Sequence, residues 1–287
     1  MREETVTSAQ NPKIKNLLLL QEKSKARREQ GLFVVEGRRE LEHCIAAGFT
    51  VRTLFVCPEI AGTSALDSAG IYFSGRCPKN QIPAPSFLRH PSHADVPVIT
   101  LPEQLYRKVA YRESTEGIIA EVEYKSLKLD DLDLPENPLV MVLEAVEKPG
   151  NLGAVLRSAD AAGVDAVIFC DPLTDLYNPN LIRASIGAVF TVPTVACSSA
   201  DAIAFLQARG IQILTAQLQD SSLYYDVDMR RGSALVMGTE ATGLTDVWRQ
   251  AASAHIRIPM LGRLDSLNVS VSAAILLFEA VRQRQQP

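Results

Sequence analysis

Three short segments in the second half of the sequence place polar side chains close behind apolar runs. One carries Asn151 and Arg157, the next carries Glu240, and the third carries Ser266 and Asn268. Amide and hydroxyl groups donate and accept hydrogen bonds, a carboxylate accepts them, and a guanidinium stays positively charged. Such groups can bind a polar ligand and stabilise charge that develops on it. We therefore expect these residues to form a ligand-binding or catalytic site.

The first two segments also have a purely structural interpretation. Gly150 and Gly153 permit a tight turn, and Asn151 can cap the helix that follows. Taken alone, Arg157 is typical of a helix surface, and Glu240 can cap the next helix along the chain. The sequence contains neither G-x-G-x-x-G nor G-x-x-x-x-G-K-[ST], so the usual dinucleotide and triphosphate cradles are excluded.

In the third segment, polar and apolar residues alternate. In an extended conformation Ser266, Asn268 and Ser270 would point to one side, with Leu267 and Val269 as apolar anchors on the other. A helix cap needs only one of the three polar residues. The alternation therefore predicts a segment that lines a ligand.

Strand and helix patterns alternate throughout this half of the chain. The predicted strands are 139–143, 165–169, 192–196, 211–216, 234–237 and 255–258, and the predicted helices are 151–162, 179–188, 200–209, 243–252 and 269–284. This order predicts an α/β fold with a mostly parallel sheet that is covered on both faces. Ligands of such sheets bind beyond the carboxyl ends of the strands, where all three polar segments lie.

The first half is also α/β but less regular. It is predicted to contain helix 10–30, strand 32–35, helix 37–47, strand 51–56, a proline-rich loop over 77–102 with a strand at 96–99, and a strand at 117–124. Between 125 and 137 the periodicity disappears and acidic residues collect. We therefore predict a small α/β domain over 1–124, a linker over 125–137 and a second domain over 138–287.

Composition excludes several classes of protein. The 287 residues are 47% hydrophobic and 22% charged, with a net charge of −4, which is typical of globular proteins and not of one that coats nucleic acid. The five cysteines include no C-x-x-C pair, so neither a zinc site nor a disulfide framework is expected. The sequence shows no signal peptide and no apolar stretch of about 20 residues, so we expect a cytoplasmic protein without a membrane span.

Basic residues concentrate near the start of the chain. Between residues 11 and 39 there are eight bases and three acids. The bases are Lys13, Lys15, Lys23, Lys25, Arg27, Arg28, Arg38 and Arg39. Taken alone, such a run is typical of a solvated helix face, and the alternative is a surface that contacts phosphates.

The three polar segments, in this order, resemble the three motifs of the SpoU/TrmH family of RNA 2'-O-methyltransferases. The matching sequences are N-L-G-A-V-L-R from residue 151, G-T-E-A-T-G-L from residue 238 and I-P-M-L-G-R-L-D-S-L-N-V-S from residue 258. The resemblance covers about 138–284. N-P-K-I-K and F-V-V-E-G-R-R-E are similar to the small substrate-binding domain of that family. In one departure, Lys148 stands where the family commonly has an acid.

This resemblance implies a C-terminal domain tied in a deep trefoil knot that binds S-adenosylmethionine. The implied cofactor residues are Met237, Gly238, Ile258, Met260 and Leu267. The family commonly works as a homodimer whose active site borrows from the partner, and the apolar helix 269–278 suits such an interface. No metal is implied.

The resemblance further implies that Arg157 is the catalytic base, with Asn151, Glu240, Ser266 and Asn268 ordering the site. A guanidinium with a pKa above about 12 is effectively never neutral, however. We therefore expect Arg157 to orient the ribose hydroxyl as a charged group. With an RNA substrate implied, a phosphate-contacting role becomes the better explanation of the basic residues between 11 and 39.

The sequence leaves the target RNA open, with ribosomal RNA favoured over tRNA. Two different functions also remain open for the same fold. One is that of an RNA-binding or ribosome-assembly protein without activity, and the second is that of an enzyme of the same knotted superfamily that methylates a base.

Overall fold

The structure is a computed structural model that describes residues 3–61, 96–113, 115–263 and 266–285. The chain forms two compact units: Met1–Lys125 with Tyr177–Arg183, and Ser126–Leu176 with Ala184–Pro287. Most of the predicted proline-rich loop, from 77 to 95, lies outside the described residues. Within the described ranges, no helix is long and apolar enough to cross a membrane.

The first unit contains a mixed five-stranded sheet. Its strands and helices in chain order are β1 Glu3–Thr5, α1 Pro12–Glu22, α2 Ser24–Gln30, β2 Leu32–Glu36, α3 Arg38–Ala46, β3 Val51–Val56, β4 Val98–Thr100, α4 Glu103–Val109 and β5 Ile118–Glu123. The strand order is β1-β4-β3-β5-β2, in which β5 runs antiparallel to both of its neighbours. Strand β1 and helix α4 were not predicted, since both are short.

The predicted helix 10–30 is two helices, because the chain turns to an extended conformation at Lys23 (φ −109°, ψ 110°). Arg27 explains how the end of α1 is stabilised at this break. Its side chain is only 1% exposed, and Nη1 donates hydrogen bonds to the carbonyl oxygens of Leu20 (2.7 Å) and Gln21 (3.2 Å). Carbonyls in the last turn of a helix lack partners within the helix, and Arg27 supplies them. The prediction that Arg27 contacts RNA is therefore wrong, because the side chain is buried in its own unit.

The second unit is built on a seven-stranded sheet in which every strand pair is parallel, which confirms the predicted parallel α/β fold. The elements in this part of the chain are β6 Leu139–Glu144, α5 Pro149–Ala161, β7 Ala166–Cys170, α6 Pro179–Ser185, α7 Ala188–Thr191, β8 Thr194–Cys197, α8 Ser199–Ala208, β9 Gln212–Ala216, β10 Ser222–Leu223, β11 Ser233–Met237, α9 Asp246–Ala251, β12 Ala254–Arg257 and α10 Val269–Arg284, of which α6 belongs mostly to the first unit. The strands with buried neighbours on both sides are almost continuously apolar, as expected for a covered sheet.

Strand order brings the ends of distant strands together. The order is β10-β12-β9-β11-β6-β7-β8, so β11 lies between β6 and β9. In register, Met237 at the end of β11 pairs with Leu143 near the end of β6. The loops that follow β6, β9, β11 and β12 therefore emerge at the same edge of the sheet.

Two predicted segments differ in detail. The helix predicted over 179–188 is interrupted at Ile186 and Gly187, whose φ angles are positive (53° and 83°), so it becomes α6 and α7. The segment predicted as a linker, 125–137, packs mostly with the second unit, since Leu132 is buried in the apolar cluster of that unit. The segment therefore belongs to the second unit, which begins at Ser126.

Candidate functional site

A cavity of about 390 Å³ opens at the carboxyl ends of β9, β11 and β12. Its size lies within the roughly 300–1,000 Å³ typical of small-molecule sites. All five residues expected to bind the cofactor line it, namely Met237, Gly238, Ile258, Met260 and Leu267. Glu240 and Ser266 line it as well, together with apolar residues of α10 such as Val269 and Leu276.

The loop after β11 closes on itself. Thr239 and Gly243 exchange two backbone hydrogen bonds (3.3 and 3.1 Å), and Gly243 has a left-handed φ of 68°. A Cβ atom on Gly238 would lie 2.2 Å from the carbonyl oxygen of Gly243. The backbone of this loop therefore requires glycine at position 238.

Asn151, Glu240 and Asn268, one from each sequence motif, form a single hydrogen-bonded cluster. Asn151 Nδ2 donates to Glu240 Oε1 (3.1 Å), and Asn268 Nδ2 donates to Glu240 Oε1 (2.9 Å) and to Asn151 Oδ1 (3.1 Å). Asn268 Oδ1 accepts from Ser270 N (3.0 Å), so Asn268 also caps α10. The amide orientations of both asparagines are thus defined by their partners.

Asn151 does not cap a helix, contrary to one structural interpretation of its segment. Helix α5 begins at Pro149, its cap residue is Lys148, and that cap has no side-chain hydrogen bond. Asn151 lies within the first turn, from which its side chain reaches Glu240. Gly153 is likewise not required by a turn. It is required by close packing, because a Cβ atom at this position would lie 2.5 Å from the Cβ of Ala184.

Glu240 is the centre of the cluster and is held as a carboxylate. The backbone N–H of Val269 (3.4 Å) and the ammonium of Lys148 (3.3 Å) lower the pKa of Glu240, in that order of importance. Glu240 therefore interacts with the N-terminus of α10, and not with that of α9, the next helix in the chain. Lys148, the residue that departs from the family pattern, is the ion-pair partner of Glu240.

The predicted separation of polar and apolar side chains over 266–270 is not observed. Ser266, Leu267 and Val269 all line the cavity, and Leu267 is 40% exposed. Helix α10 already begins at Val269, so the segment is too short to be an extended strand. Leu267 is thus an exposed wall of the cavity and not a buried anchor.

Arg157 is not part of this cluster. It is an exposed residue of α5, six positions after Asn151, which corresponds to about 9 Å along the helix axis and to a different face. It does not line the cavity. In the part of the chain that the structure describes, the Arg157 side chain has no hydrogen bond or ion pair. The chain by itself does not bring Arg157 to the other predicted catalytic residues.

A second, buried cluster at the same edge of the sheet was not identified from the sequence. Glu144, the last residue of β6, is 3% exposed and accepts hydrogen bonds from Thr245 N (2.8 Å) and Thr245 Oγ1 (2.5 Å). Ser199 Oγ, 3.5 Å from Glu144, donates to Asp171 (2.6 Å) and accepts from Trp248 Nε1 (2.9 Å). This cluster holds the end of the loop that follows β11. In the sequence, the only feature that indicates this cluster is an acidic residue at the end of an apolar strand.

Gln217 is a second residue that the sequence did not reveal. It directly follows β9 and lines the cavity. Its Nε2 donates to the main-chain oxygen of Gln219 (2.9 Å), whereas its Oε1 is buried and has no partner among the described residues.

The remaining basic residues of the stretch 11–39 lie on the surface of the first unit. Lys13, Lys15, Lys23, Lys25, Arg28 and Arg39 are exposed, and Arg38 is partly buried. Lys13 pairs with Glu4, and Lys25 pairs with Glu29 at 3.7 Å. Over the described ranges, no group of three or more His, Cys, Asp or Glu side chains could hold a metal ion.

Comparison with known proteins covers both units. The model of the SpoU rRNA Methylase family matches residues 138–278, and that of the MRM3-like substrate binding domain matches 11–120. A 23S rRNA (guanosine-2'-O-)-methyltransferase, RlmB of Bordetella pertussis, is 40% identical over 175 residues, which cover 59% of this chain and 71% of that protein.

Two solved structures are similar over nearly the whole chain. An RNA 2'-O ribose methyltransferase superposes with a TM-score of 0.80 at 33% identity, over 98% of this chain and 100% of that one. An AdoMet-bound rRNA methyltransferase from Sinorhizobium meliloti superposes with a TM-score of 0.81 at 28% identity, over 99% of both chains.

Proposed function

This chain belongs to the SpoU rRNA methylase family, and we propose that it transfers a methyl group from S-adenosylmethionine to a ribose 2'-hydroxyl of ribosomal RNA, within the cytoplasm. The observation that carries the proposal is the cluster of Asn151, Glu240 and Asn268 beside the cavity. These residues come from three separate motifs, and each is bonded to the other two.

The cavity has the chemistry that S-adenosylmethionine requires. Apolar side chains of Ile258, Met260 and Leu267 suit the adenine ring, and the buried oxygen of Gln217 needs a hydrogen-bond donor. When bound, the cofactor supplies an electrophilic methyl group on a sulfonium. Met237 and Gly238 complete the proposed cofactor site, and the residues present thus fit the group.

The chain's own residues position the reacting groups. Glu240 and Asn151 fix the amide of Asn268, while Ser266 offers a hydroxyl at the cavity wall. A guanidinium is effectively never neutral in a protein, so we do not assign Arg157 the role of a free base. We assign it to binding the 2'-hydroxyl and stabilising negative charge on the oxygen. As the oxygen takes up the methyl group it becomes acidic, and its proton passes to solvent water.

Arg157 can reach a reacting centre if two copies of the chain associate. Helices α5 and α10 pack side by side, so their outer surfaces adjoin. Helix α10 buries Val269, Leu276 and Leu277 within the chain but leaves Val271 and Phe278 about half exposed. We propose a homodimer through this surface, in which Arg157 of one protomer serves the cavity of the other.

Mixed dimers test this arrangement. Arg157→Ala and Asn268→Ala are each expected to be nearly inactive. If Arg157 acts across the interface, co-refolded mixtures recover about a quarter of wild-type activity, since half the dimers are mixed and each has one intact site. If no activity is recovered although two affinity tags verify that mixed dimers are present, Arg157 acts in its own protomer. Sedimentation of Phe278→Asp tests the interface itself and is expected to give monomers.

Two further parts of the proposal concern architecture. We propose that the second unit is knotted as a deep trefoil, which is supported by the fold similarity and by a strand order in which β11 and β12 insert between earlier strands. We also propose that the first unit binds the RNA substrate, supported by its match to a substrate-binding domain. We propose that residues 1–124 and 138–287 are the two functional domains. The two compact units of the structure have a slightly different boundary, which follows Lys125.

The RNA surface can be tested by charge removal. The triple variant Lys23→Gln, Lys25→Gln, Arg28→Gln should weaken RNA binding and reduce its salt slope by about two to three, because each phosphate contact contributes nearly one unit. Arg52→Gln, Arg107→Gln, Lys108→Gln removes three exposed charges elsewhere in the same unit and is the control. Lys13, Lys15, Arg38 and Arg39 form a second set for the same assay. If both triples behave alike, the stretch is only a solvated face.

The target is identified by mapping 2'-O-methyl groups in total RNA from cells with and without the protein. Loss of one ribosomal RNA methyl group supports the proposal. Loss of a tRNA methyl group would instead favour a tRNA enzyme. Calorimetry that detected no S-adenosylmethionine binding would favour a protein without methyltransferase activity.

A further inference from the structure

We infer that Gln217 recognises the adenosine half of the cofactor by accepting a hydrogen bond at Oε1. This inference rests on the proposed function, since it concerns the same cavity. Gln217 lies outside the three family motifs, 21 positions before Gly238. It follows β9, and its backbone N–H donates to Ile256 O (3.0 Å) of the neighbouring strand β12, so its position in the cavity wall is well fixed.

The orientation of the Gln217 amide is determined by its surroundings. Nε2 donates to the carbonyl oxygen of Gln219 at 2.9 Å. If the amide were flipped, two oxygens would face each other at that distance, which is repulsive. The carbonyl oxygen must therefore be the atom that is buried, and the partner it lacks must be a donor.

A buried acceptor without a partner destabilises a folded protein, because the group has lost its hydrogen bonds to water and gained none in return. Native proteins rarely retain such a group, and one that lines a ligand cavity has an evident use. A ligand that donates to Gln217 gains its full hydrogen bond, since no bond within the described chain has to be broken first. Gln217 Oε1 therefore favours ligands that place a hydrogen-bond donor next to it.

Charge indicates which part of the cofactor supplies the donor. The amide oxygen of Gln217 is neutral and suits a neutral amino or hydroxyl group. An ammonium that leaves water is better stabilised by a carboxylate. The cavity has such a carboxylate in Glu240, which bonds to the N-terminus of α10. The methionine ammonium therefore suits the Glu240 side of the cavity, and the adenine amine or a ribose hydroxyl suits Gln217.

The test measures binding and stability, not only activity. Gln217→Met has similar volume and no hydrogen-bonding groups. It should weaken S-adenosylhomocysteine binding about tenfold in calorimetry, the size of one well-formed hydrogen bond. The melting temperature of the ligand-free variant should not fall, because an unsatisfied acceptor has been removed. A purely structural role would lower stability and binding together. Gln207→Met, an exposed site on α8, is the control and should leave both quantities unchanged.

Cofactor analogues identify the donor. S-inosylhomocysteine lacks the adenine amine, and the 2'- and 3'-deoxy forms each lack one ribose hydroxyl. For one of these three, wild type and Gln217→Met should bind with equal affinity, because the donor is already missing. If the difference persists with all three and disappears only with an analogue that lacks the methionine ammonium, the assignment to adenosine is wrong. Equal S-adenosylhomocysteine binding by wild type and variant would overturn the inference entirely.

The wild-type measurements keep this inference separate from the proposed function. If the wild-type protein binds and uses S-adenosylmethionine while Gln217→Met behaves like wild type, only the role of Gln217 is rejected. If the wild-type protein does not bind the cofactor, the proposed function itself fails.

Discussion

Two carboxylates at the same edge of the parallel sheet have opposite environments. Glu144 is almost fully buried, and its oxygens receive donors from Thr245 on the loop after β11. Glu240, on the same loop, is partly exposed and bonds to Lys148, Asn151 and Asn268 beside the cavity. One end of the loop is therefore locked into the core, and the other end is open to ligands. A site of this kind needs both, because a catalytic group is only as well placed as the backbone that carries it.

The largest expected effect concerns Glu144. Glu144→Ala removes a side chain that is only 3% exposed, together with the acceptor of the Thr245 N–H and hydroxyl, so we expect the free energy of unfolding to fall by about 3 kcal/mol. Urea denaturation of the variant and of wild type measures this difference in the free energy of unfolding. Glu147→Ala, three residues along and exposed, should change stability by less than about 0.5 kcal/mol. If both variants lose the same amount, Glu144 does not lock the loop.

Glu240→Ala should give the reverse result. Its free energy of unfolding should stay close to that of wild type, since the carboxylate is near the surface and its pairing is screened by water. We expect kcat to fall about thirtyfold, because Asn268 loses the acceptor that orients it. Steady-state kinetics with RNA saturating would check this. A Glu240→Ala enzyme with normal kcat, or one that fails to fold, would remove the distinction between the two carboxylates.

The pH dependence of stability sharpens the same comparison. The pKa of Glu240 lies below its ordinary value of 4.5, because Val269 N–H and Lys148 favour the carboxylate. The folded protein therefore binds this proton less readily than the unfolded chain. Its stabilisation is complete above pH 4.5 and disappears as the pH falls through the lowered pKa. The stability difference between wild type and Glu240→Gln should shrink over that range. A difference that stays constant from about pH 6 to the acid limit would contradict it.

Lys148→Ala should have the smallest effect. The Lys148 side chain is 74% exposed, and surface ion pairs contribute about 0–1 kcal/mol, so unfolding should change by less than about 0.5 kcal/mol. The pKa of Glu240, followed by carboxyl-selective NMR, should move back toward its ordinary value. An unchanged pKa would show that the backbone of α10 alone holds Glu240 in its charged form.

The two units differ in how well the sequence predicted them. In the second unit, long strands and helices with strong periodicity were identified nearly to their ends, for example β6, β9 and α10. In the first unit, α1 and α2 were merged, and the short elements β1 and α4 were missed. Short elements carry too few residues for a periodic pattern, and a break such as that at Lys23 leaves no Gly or Pro to signal it.

By itself, the sequence determined the parallel α/β fold and the residue types of the three motif loops, because periodicity and loop chemistry are local properties. Tertiary structure alone decided which of those residues meet. Asn151 and Asn268 are 117 positions apart and bond because β11 inserts beside β6 and because α10 packs on α5. Packing also buried Arg27, gave Glu144 and Gln217 their roles and left Arg157 outside its expected cluster. Burial and pairing depend on strand order, which no local pattern specifies.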